Sequence, residues 1–209
     1  MIRNIVFDLG GVLIDLDPVG CSKAFSNLGF NMAEDPVKRF HGEDIFKLYE
    51  TGSISTNEFL NKIAEASAKG VTHEQLSSAW NSMLGPWRIS SLDFLKTLKQ
   101  QYRLYLLSNT NELHEISFKR KLLEAGLPTI DTMFIKPYFS HKIHLRKPGR
   151  EIFEYVVNNA GILPEDTLFI DDTALNLPNA AQVGIKTFLL QRGYFIENLD
   201  YQNAGKNQG

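Results

Sequence analysis

The amino-acid sequence predicts an α/β fold, a Rossmann-like doubly wound parallel sheet, carrying a small all-helical cap domain. Three observations point there. Short apolar runs rich in branched and aromatic residues end at acids or hydroxyls, as strands buried on both faces of a sheet do. Segments of helical spacing alternate with those runs, the pattern of strands joined by crossover helices. One stretch, residues 17–86, breaks the alternation and is too long for a loop.

Taken in order, Ile5-Val6-Phe7 predicts the first strand and delivers Asp8 at its end. Residues 17–86 then read as helices: Thr56 is an expected N-cap with Phe59, Leu60 and Ile63 behind it, and Thr72 precedes Leu76, Ala79 and Trp80. Glu58 and Glu74 lie near those helix starts, where acids favour the dipole. Leu92, Leu95 and Leu98 share one face of a helix that leads to the strand Leu104-Tyr105-Leu106-Leu107 and on to Ser108-Asn109-Thr110. A helix with Leu113, Ile116, Leu122 and Leu123 on its apolar side follows and stops near Gly126-Leu127-Pro128. Ile152, Phe153, Val156 and Val157 mark the helix before Thr167-Leu168-Phe169-Ile170, which ends at Asp171-Asp172. Thr187-Phe188-Leu189-Leu190 is the last expected strand. The expected division is a core of residues 1–16 and 87–209 and a helical cap of residues 17–86, hinged at residues 14–18 and 85–88. The polar end from Asn198 onward is expected to fray.

A chain of 209 residues can hold one substantial domain plus a modest insertion. Its hydrophobic content of 43% suits a packed core and not disorder. A formal net charge of −2 makes no electrostatic case for nucleic acid or anionic lipid. Cys21 is the sole cysteine, so no internal disulfide and no cysteine-rich metal site can form, and it reads as packing in the first cap helix. Asp8 interrupts what would be the apolar part of a leader, and no apolar run is long enough to span a bilayer. The expectation is a cytoplasmic protein, monomer or homodimer, with no nucleic acid and no membrane among its partners.

Four strand-end features carry chemistry, each with an ordinary alternative. Asp8, followed by Leu9-Gly10-Gly11, can attack phosphorus to give an aspartyl-phosphate, and the glycines let backbone amides approach a phosphate; an Asp capping a turn is the plain alternative. Asp171 and Asp172 repel one another unless a cation lies beside them, and Mg2+ takes carboxylates together with phosphate and water. A helix N-cap followed by an acid explains the same pair. Ser108-Asn109-Thr110 can donate a hydroxyl and amides to phosphate oxygens, or simply cap the next helix. Lys147, just ahead of a helix that Pro148 can start, would offset charge repulsion around a phosphoryl group; Arg146 beside it reads as solvated. The order of nucleophile, hydroxyl, lysine and acid pair says more than any one member. His141 and His144 border Lys147 but lack an acid at zinc-ligand spacing, and His41, His73 and His114 read as ordinary. Phe46, Tyr49 and Glu50 are candidates to face a ligand; Trp80 and Trp87 read as packing of the cap core and the hinge, and either could also face substrate.

These segments resemble the four signature motifs of the haloacid dehalogenase superfamily over almost the whole chain. IVFDLGGVLI at residues 5–14 is similar to the first motif, LLSNT at 106–110 to the second, Lys147-Pro148 to the third and FIDDTALN at 169–176 to the fourth. The insertion is similar to the helical cap of the branch that includes β-phosphoglucomutase and the dehalogenases. Within that branch the segments look most like bacterial α-glucose-1-phosphate phosphatases. The resemblance implies a Mg2+-dependent phosphatase acting on a sugar phosphate, such as a sugar 1-phosphate. It implies Asp8 as nucleophile and Lys147 as the bridge between nucleophile and phosphate, with substrate contacts from Gly10, Gly11, Ser108, Asn109 and Lys147. Mg2+ would be held by Asp8, the Gly10 backbone carbonyl and Asp172, with Asp171 a direct or water-mediated ligand.

One departure stands out. Phosphatases of this superfamily usually carry a general acid two positions after the nucleophile, and here that position is Gly10. Positioned acid–base catalysis is worth about 10²–10⁴-fold in rate. Three explanations stay open: a good leaving group such as that of a sugar 1-phosphate, another acid such as Asp15 or Asp17 brought in by the cap, or lost turnover that leaves a phosphate-binding protein. A metal-independent 2-haloacid dehalogenase is the rival enzyme, for which Asp171 and Asp172 would be surplus.

Overall fold

The computed structural model describes residues 1–30, 45–65, 67 and 70–201. In chain order, β1 (Asn4–Phe7) and β2 (Ile14–Leu16) precede the helices α1 (Pro18–Asn27), α2 (Ile45–Glu50), α3 (Thr56–Glu65) and α4 (His73–Asn81). Next come β3 (Leu84–Trp87), α5 (Ile89–Leu98), β4 (Arg103–Ser108), α6 (Glu112–Glu124) and α7 (Ile130–Met133). They are followed by β5 (Lys136–Phe139), α8 (Ser140–Ile143), α9 (Arg150–Ala160), β6 (Thr167–Asp171), α10 (Leu177–Gln182) and β7 (Lys186–Leu189).

Strands β5-β4-β1-β6-β7, in that spatial order, make one parallel sheet, as the alternation of strand and helix predicts. Phe7 lies opposite Leu106 on one side and Ile170 on the other, so the carboxyl ends of the central strands are level. Successive side chains of a strand face opposite ways. Ile5, Phe7, Leu104, Leu106, Leu168 and Ile170 therefore pack against α5 and α6, while Val6, Tyr105, Leu107 and Phe169 pack against α9 and α10. Burial on both faces is why these runs are apolar throughout. Helices α1 to α4 share a separate cluster that includes Phe25, Tyr49, Phe59, Ile63 and Leu76, with Cys21 packed inside it as expected.

The structure revises several local readings. The cap of α3 is Ser55 and not Thr56: Ser55 Oγ accepts from Glu58 N at 3.2 Å, and Glu58 accepts from Ser55 N at 2.8 Å, a reciprocal pair that places Thr56 at the first helical position. Thr72 caps α4 as expected, with Gln75 returning the bond. Edge strand β5 goes unseen in the sequence because Lys136-Pro137 opens it, although proline is tolerated at a sheet edge. The two expected hinge segments pair with each other as an antiparallel ribbon, Ile14 opposite Trp87. The apolar side of α6 is also different. Ile116 and Leu123 are exposed, and the helix buries Phe118 and Leu122 together with Glu115. Glu115 is acceptable there because Lys119, Lys142 and His141 all reach its carboxylate, at 2.7, 2.6 and 2.9 Å. The chain beyond Asn198 does not fray at once, since Tyr201 is buried and its hydroxyl donates to Ile196 O at 2.8 Å; residues 202–209, like His41, lie outside the described residues.

Phe59 anchors the helical cluster: it is fully buried, stacked on Tyr49 at 4.1 Å and edge-on to Trp80 at 5.2 Å. Phe59→Ala should destabilise the protein by about 3–5 kcal/mol, visible as a lower midpoint in urea unfolding; a change below about 1 kcal/mol would mean that this cluster is loosely packed.

Candidate active site

Chain connections leave β1 toward β4 and leave β6 toward β7, so the crevice at the carboxyl ends of β1 and β6 is the topological switch point of the sheet, where open α/β sheets bind ligands. Asp8 follows β1 and Asp171 ends β6. A bond from Asp8 N to Ile170 O at 2.8 Å locks the two strand ends together.

Lys147 is the centre of the charges gathered there. Almost wholly buried, it donates to Asp8 Oδ1 at 2.8 Å and to Asp171 Oδ2 at 2.7 Å. Burial alone would push its ammonium toward losing a proton, but the charges of Asp8 and Asp171 outweigh that and raise its pKa. Asp171 has no exposure, and its oxygens also accept from Asn176 Nδ2 at 2.9 Å and Thr173 N at 2.7 Å. Asp172 is the more open of the pair. The cavity walls, and then the charge of Asp171, hold its carboxyl above the usual range. Asn176 thus serves Asp171.

The glycines after Asp8 have a purpose that the sequence does not reveal. Gly11 has φ +67°, and a Cβ there would stand 2.0 Å from Asp172 Oδ2, so only glycine admits that carboxylate. A Cβ on Gly10 would stand 2.9 Å from Leu16 Cδ1. Ser108 is buried at the end of β4. The Asn109 side chain is committed to the backbone of Lys147, donating to its carbonyl at 2.8 Å and accepting from its N–H at 2.9 Å. Ser140 pins the adjoining loop through both backbone groups of Thr110, at 2.9 Å each.

A cavity of about 660 Å³ opens over these groups, lined by Asp8, Gly10, Ser108, Asn109, Lys147 and Asp172 among others. Among the predicted contacts, Gly11 is not on that lining and acts through Asp172. Glu50 lines the cavity as expected, whereas Phe46 and Tyr49 pack in the helical cluster, Tyr49 fully and Phe46 stacked on Trp80 at 5.4 Å. Arg146 is not solvated: it lines the cavity and pairs with Glu50 at 2.9 Å. His114, which reads as ordinary in sequence, also lines the cavity; His141 joins Glu115, and His144 bonds Thr51 O at 2.8 Å. A single sequence holds no signal for Arg146 or His114, because their partners are distant along the chain.

The donor set suits a hard divalent cation. Asp8, Asp171 and Asp172 each offer an oxygen within 4.8 Å of the others. Three carboxylates less one ammonium leave a charge of −2, and oxygen-rich sites of that charge suit Mg2+. Such an array can hold a phosphoryl group next to a carboxylate nucleophile.

Fold and site together define a class: residues 2–184 match the haloacid dehalogenase-like hydrolases, and the chain belongs to that family. Particular relatives narrow the comparison. D-ribitol-5-phosphate phosphatase of Bacteroides thetaiotaomicron is 32% identical over 194 residues, covering 92% of this chain and 94% of that protein. A haloacid dehalogenase family enzyme from the same organism, solved with magnesium and inorganic phosphate, is 36% identical with a TM-score of 0.83, over 94% of this chain and 98% of that one. A HAD-like family hydrolase from Porphyromonas gingivalis is 34% identical with a TM-score of 0.82, over 93% of each chain. An L-2-haloacid dehalogenase, 18% identical with a TM-score of 0.62, shares the fold alone. Among the described residues no helix is long and apolar enough to cross a membrane.

Burial, reinforced by Asp171 and opposed by Lys147, raises the Asp8 carboxyl from 3.8 to about 7. Between those values the folded chain keeps a proton that the unfolded chain has lost, so stability falls as pH rises through that window. A cation held by the ionised carboxylates relieves this loss. Mg2+ should therefore raise the melting temperature more at about pH 7.5 than at about pH 5; an equal rise at both would place the ion elsewhere.

Proposed function

We propose that the protein is a Mg2+-dependent phosphatase that hydrolyses a small phosphorylated metabolite through an aspartyl-phosphate on Asp8. The observation that carries this reading is the buried array of Asp8, Lys147 and Asp171 with Asp172 open beside it. The phosphatase name of one relative and the magnesium and phosphate bound in another support it. An oxygen of Asp8 attacks phosphorus while the bond to the leaving oxygen breaks, and that oxygen takes a proton from water. Water then attacks the aspartyl-phosphate, which releases inorganic phosphate and restores Asp8. Lys147 holds Asp8 in line and offsets charge on the phosphoryl oxygens, Asp171 and Asn109 hold Lys147, and Ser108 receives a phosphoryl oxygen. Mg2+, held by Asp8, the Gly10 carbonyl and Asp172 with Asp171 behind, would neutralise the charge that the phosphate adds. Helices α1 to α4 would act as the cap, hinged on the β2–β3 ribbon. A cytoplasmic location belongs to the same proposal and is supported by the single, buried, free Cys21.

The finer reading concerns the leaving group. Leu16 fills the space that an acid side chain on Gly10 would enter. Asp15 is held by Arg88 at 2.7 Å, and Asp17 caps α1 through Gly20 N at 2.7 Å. His114 is pressed by burial to about 4, so it is neutral near pH 7, with Nε2 on Trp80 O at 3.2 Å. These engagements support a leaving oxygen that departs without a placed acid, as that of a sugar 1-phosphate can. The relative's name favours a second reading, a terminal alditol phosphate.

Asp8→Asn should reduce hydrolysis of p-nitrophenyl phosphate by about 10³-fold or more, and EDTA should abolish it until Mg2+ is restored. Activity that survives complete metal removal would return the dehalogenase reading. Gly10→Asp combined with Leu16→Ala should raise kcat/KM for alditol phosphates by about 10²-fold and for sugar 1-phosphates much less. Equal gains on both would contradict the leaving-group reading.

A further inference from the structure

We propose that Glu50 and Arg146 read the hydroxyl groups of the leaving group, which makes a polyhydroxylated phosphate ester the substrate class. This rests on the phosphatase reading and adds the residues that select. Glu50 ends α2, and Arg146 directly precedes Lys147. Both line the cavity that contains Asp8. Glu50 Oε2 accepts from Arg146 Nε at 3.0 Å and forms an ion pair with Nη2 at 2.9 Å.

The burial of the pair is what suggests recognition. Its side chains are 27% and 25% exposed, Arg146 and Glu50 respectively. A pair sealed in the interior would have nothing to offer a ligand, and one standing in bulk water would contribute little. Partly desolvated charges on a cavity wall make strong hydrogen bonds to a ligand. Glu50 accepts the Nε–H, one of the five N–H donors that a guanidinium carries. Neighbouring hydroxyls both donate and accept, and a carboxylate beside a guanidinium meets both needs. An apolar leaving group would instead have to desolvate the charges without replacement.

Position and shape agree. The Arg146 backbone is anchored by its neighbour Lys147, which Asn109 grips at 2.8 and 2.9 Å, so the guanidinium has a fixed origin relative to Asp8. Trp80 and His114, stacked on each other at 5.0 Å and 10°, also line the cavity and form a rigid wall beside the pair. A volume of about 660 Å³ falls in the range of small-metabolite sites.

The test is a ratio: kcat/KM for glucose 1-phosphate or ribitol 5-phosphate, divided by that for p-nitrophenyl phosphate, which has no sugar hydroxyls. Glu50→Gln and Arg146→Lys should each lower the ratio about 10- to 100-fold, mainly through KM. The reciprocal exchange, Glu50→Arg with Arg146→Glu, restores an ion pair between the same two positions but misplaces donor and acceptor, so the ratio should stay low. Recovery of the wild-type ratio in the exchange would make the pair a latch and overturn the inference, as would equal losses on both kinds of ester. A wild type that cleaves p-nitrophenyl phosphate while both single variants keep its ratio overturns this inference alone. A wild type that cleaves no ester overturns the phosphatase reading, and this inference with it.

Discussion

Two carboxylates share one buried ammonium and a third stands beside them, and the imbalance of charge that results governs the rest of the site. Like charges within 4.8 Å repel by on the order of 3–4 kcal/mol even at an effective dielectric of 20. Lys147 balances one of them. Burial first, and then the charge of Asp171, raise the Asp8 carboxyl to about 7 against the pull of Lys147, and a dication would take the place of the proton held there. A phosphate monoester brings still more negative charge, so a divalent cation and a substrate become mutually dependent guests.

The fold's contribution is to make that crowding unavoidable. Parallel strands with level ends deliver Asp8, Ser108 and Asp171 to one rim. Apolar layers on both faces then hold the rim rigid. Neutral groups complete the arrangement: Asn109 fixes the backbone of Lys147, Asn176 and Thr173 N orient Asp171, and Gly11 leaves room for Asp172. None of these touches the reaction in the proposed mechanism, yet loss of any one would loosen the distances on which it depends.

What could be read from the sequence follows from how local each signal is. Asp8 and the Asp171-Asp172 pair were legible because charged groups at the ends of apolar strands need a reason to be there, and Lys147 was legible through its place in the order of motifs. The four strands with continuous branched or aromatic runs were legible for the same cause. Strand β5 and the β2–β3 ribbon were not, since Pro137, Gly85 and Pro86 look like breakers until a sheet edge or a partner strand absorbs them. Helix α6 misled because it buries an acid: Glu115 turns inward onto Lys119, Lys142 and His141, while Ile116 and Leu123 face outward. Arg146 was misjudged through distance, and the grip of the Asn109 side chain on Lys147 went unread for the same reason. Glu50 is 96 residues from Arg146, and Lys147 is 38 from Asn109, separations that no local pattern encodes.

The most direct test of the shared-cation claim is anomalous diffraction from crystals soaked with Mn2+ as a stand-in for Mg2+. The account predicts a single strong peak with carboxylate oxygens of Asp8 and Asp172 about 2 Å away. A peak bound elsewhere, or an Asp8 and Asp172 that remain without a common ion at saturating metal, would contradict it.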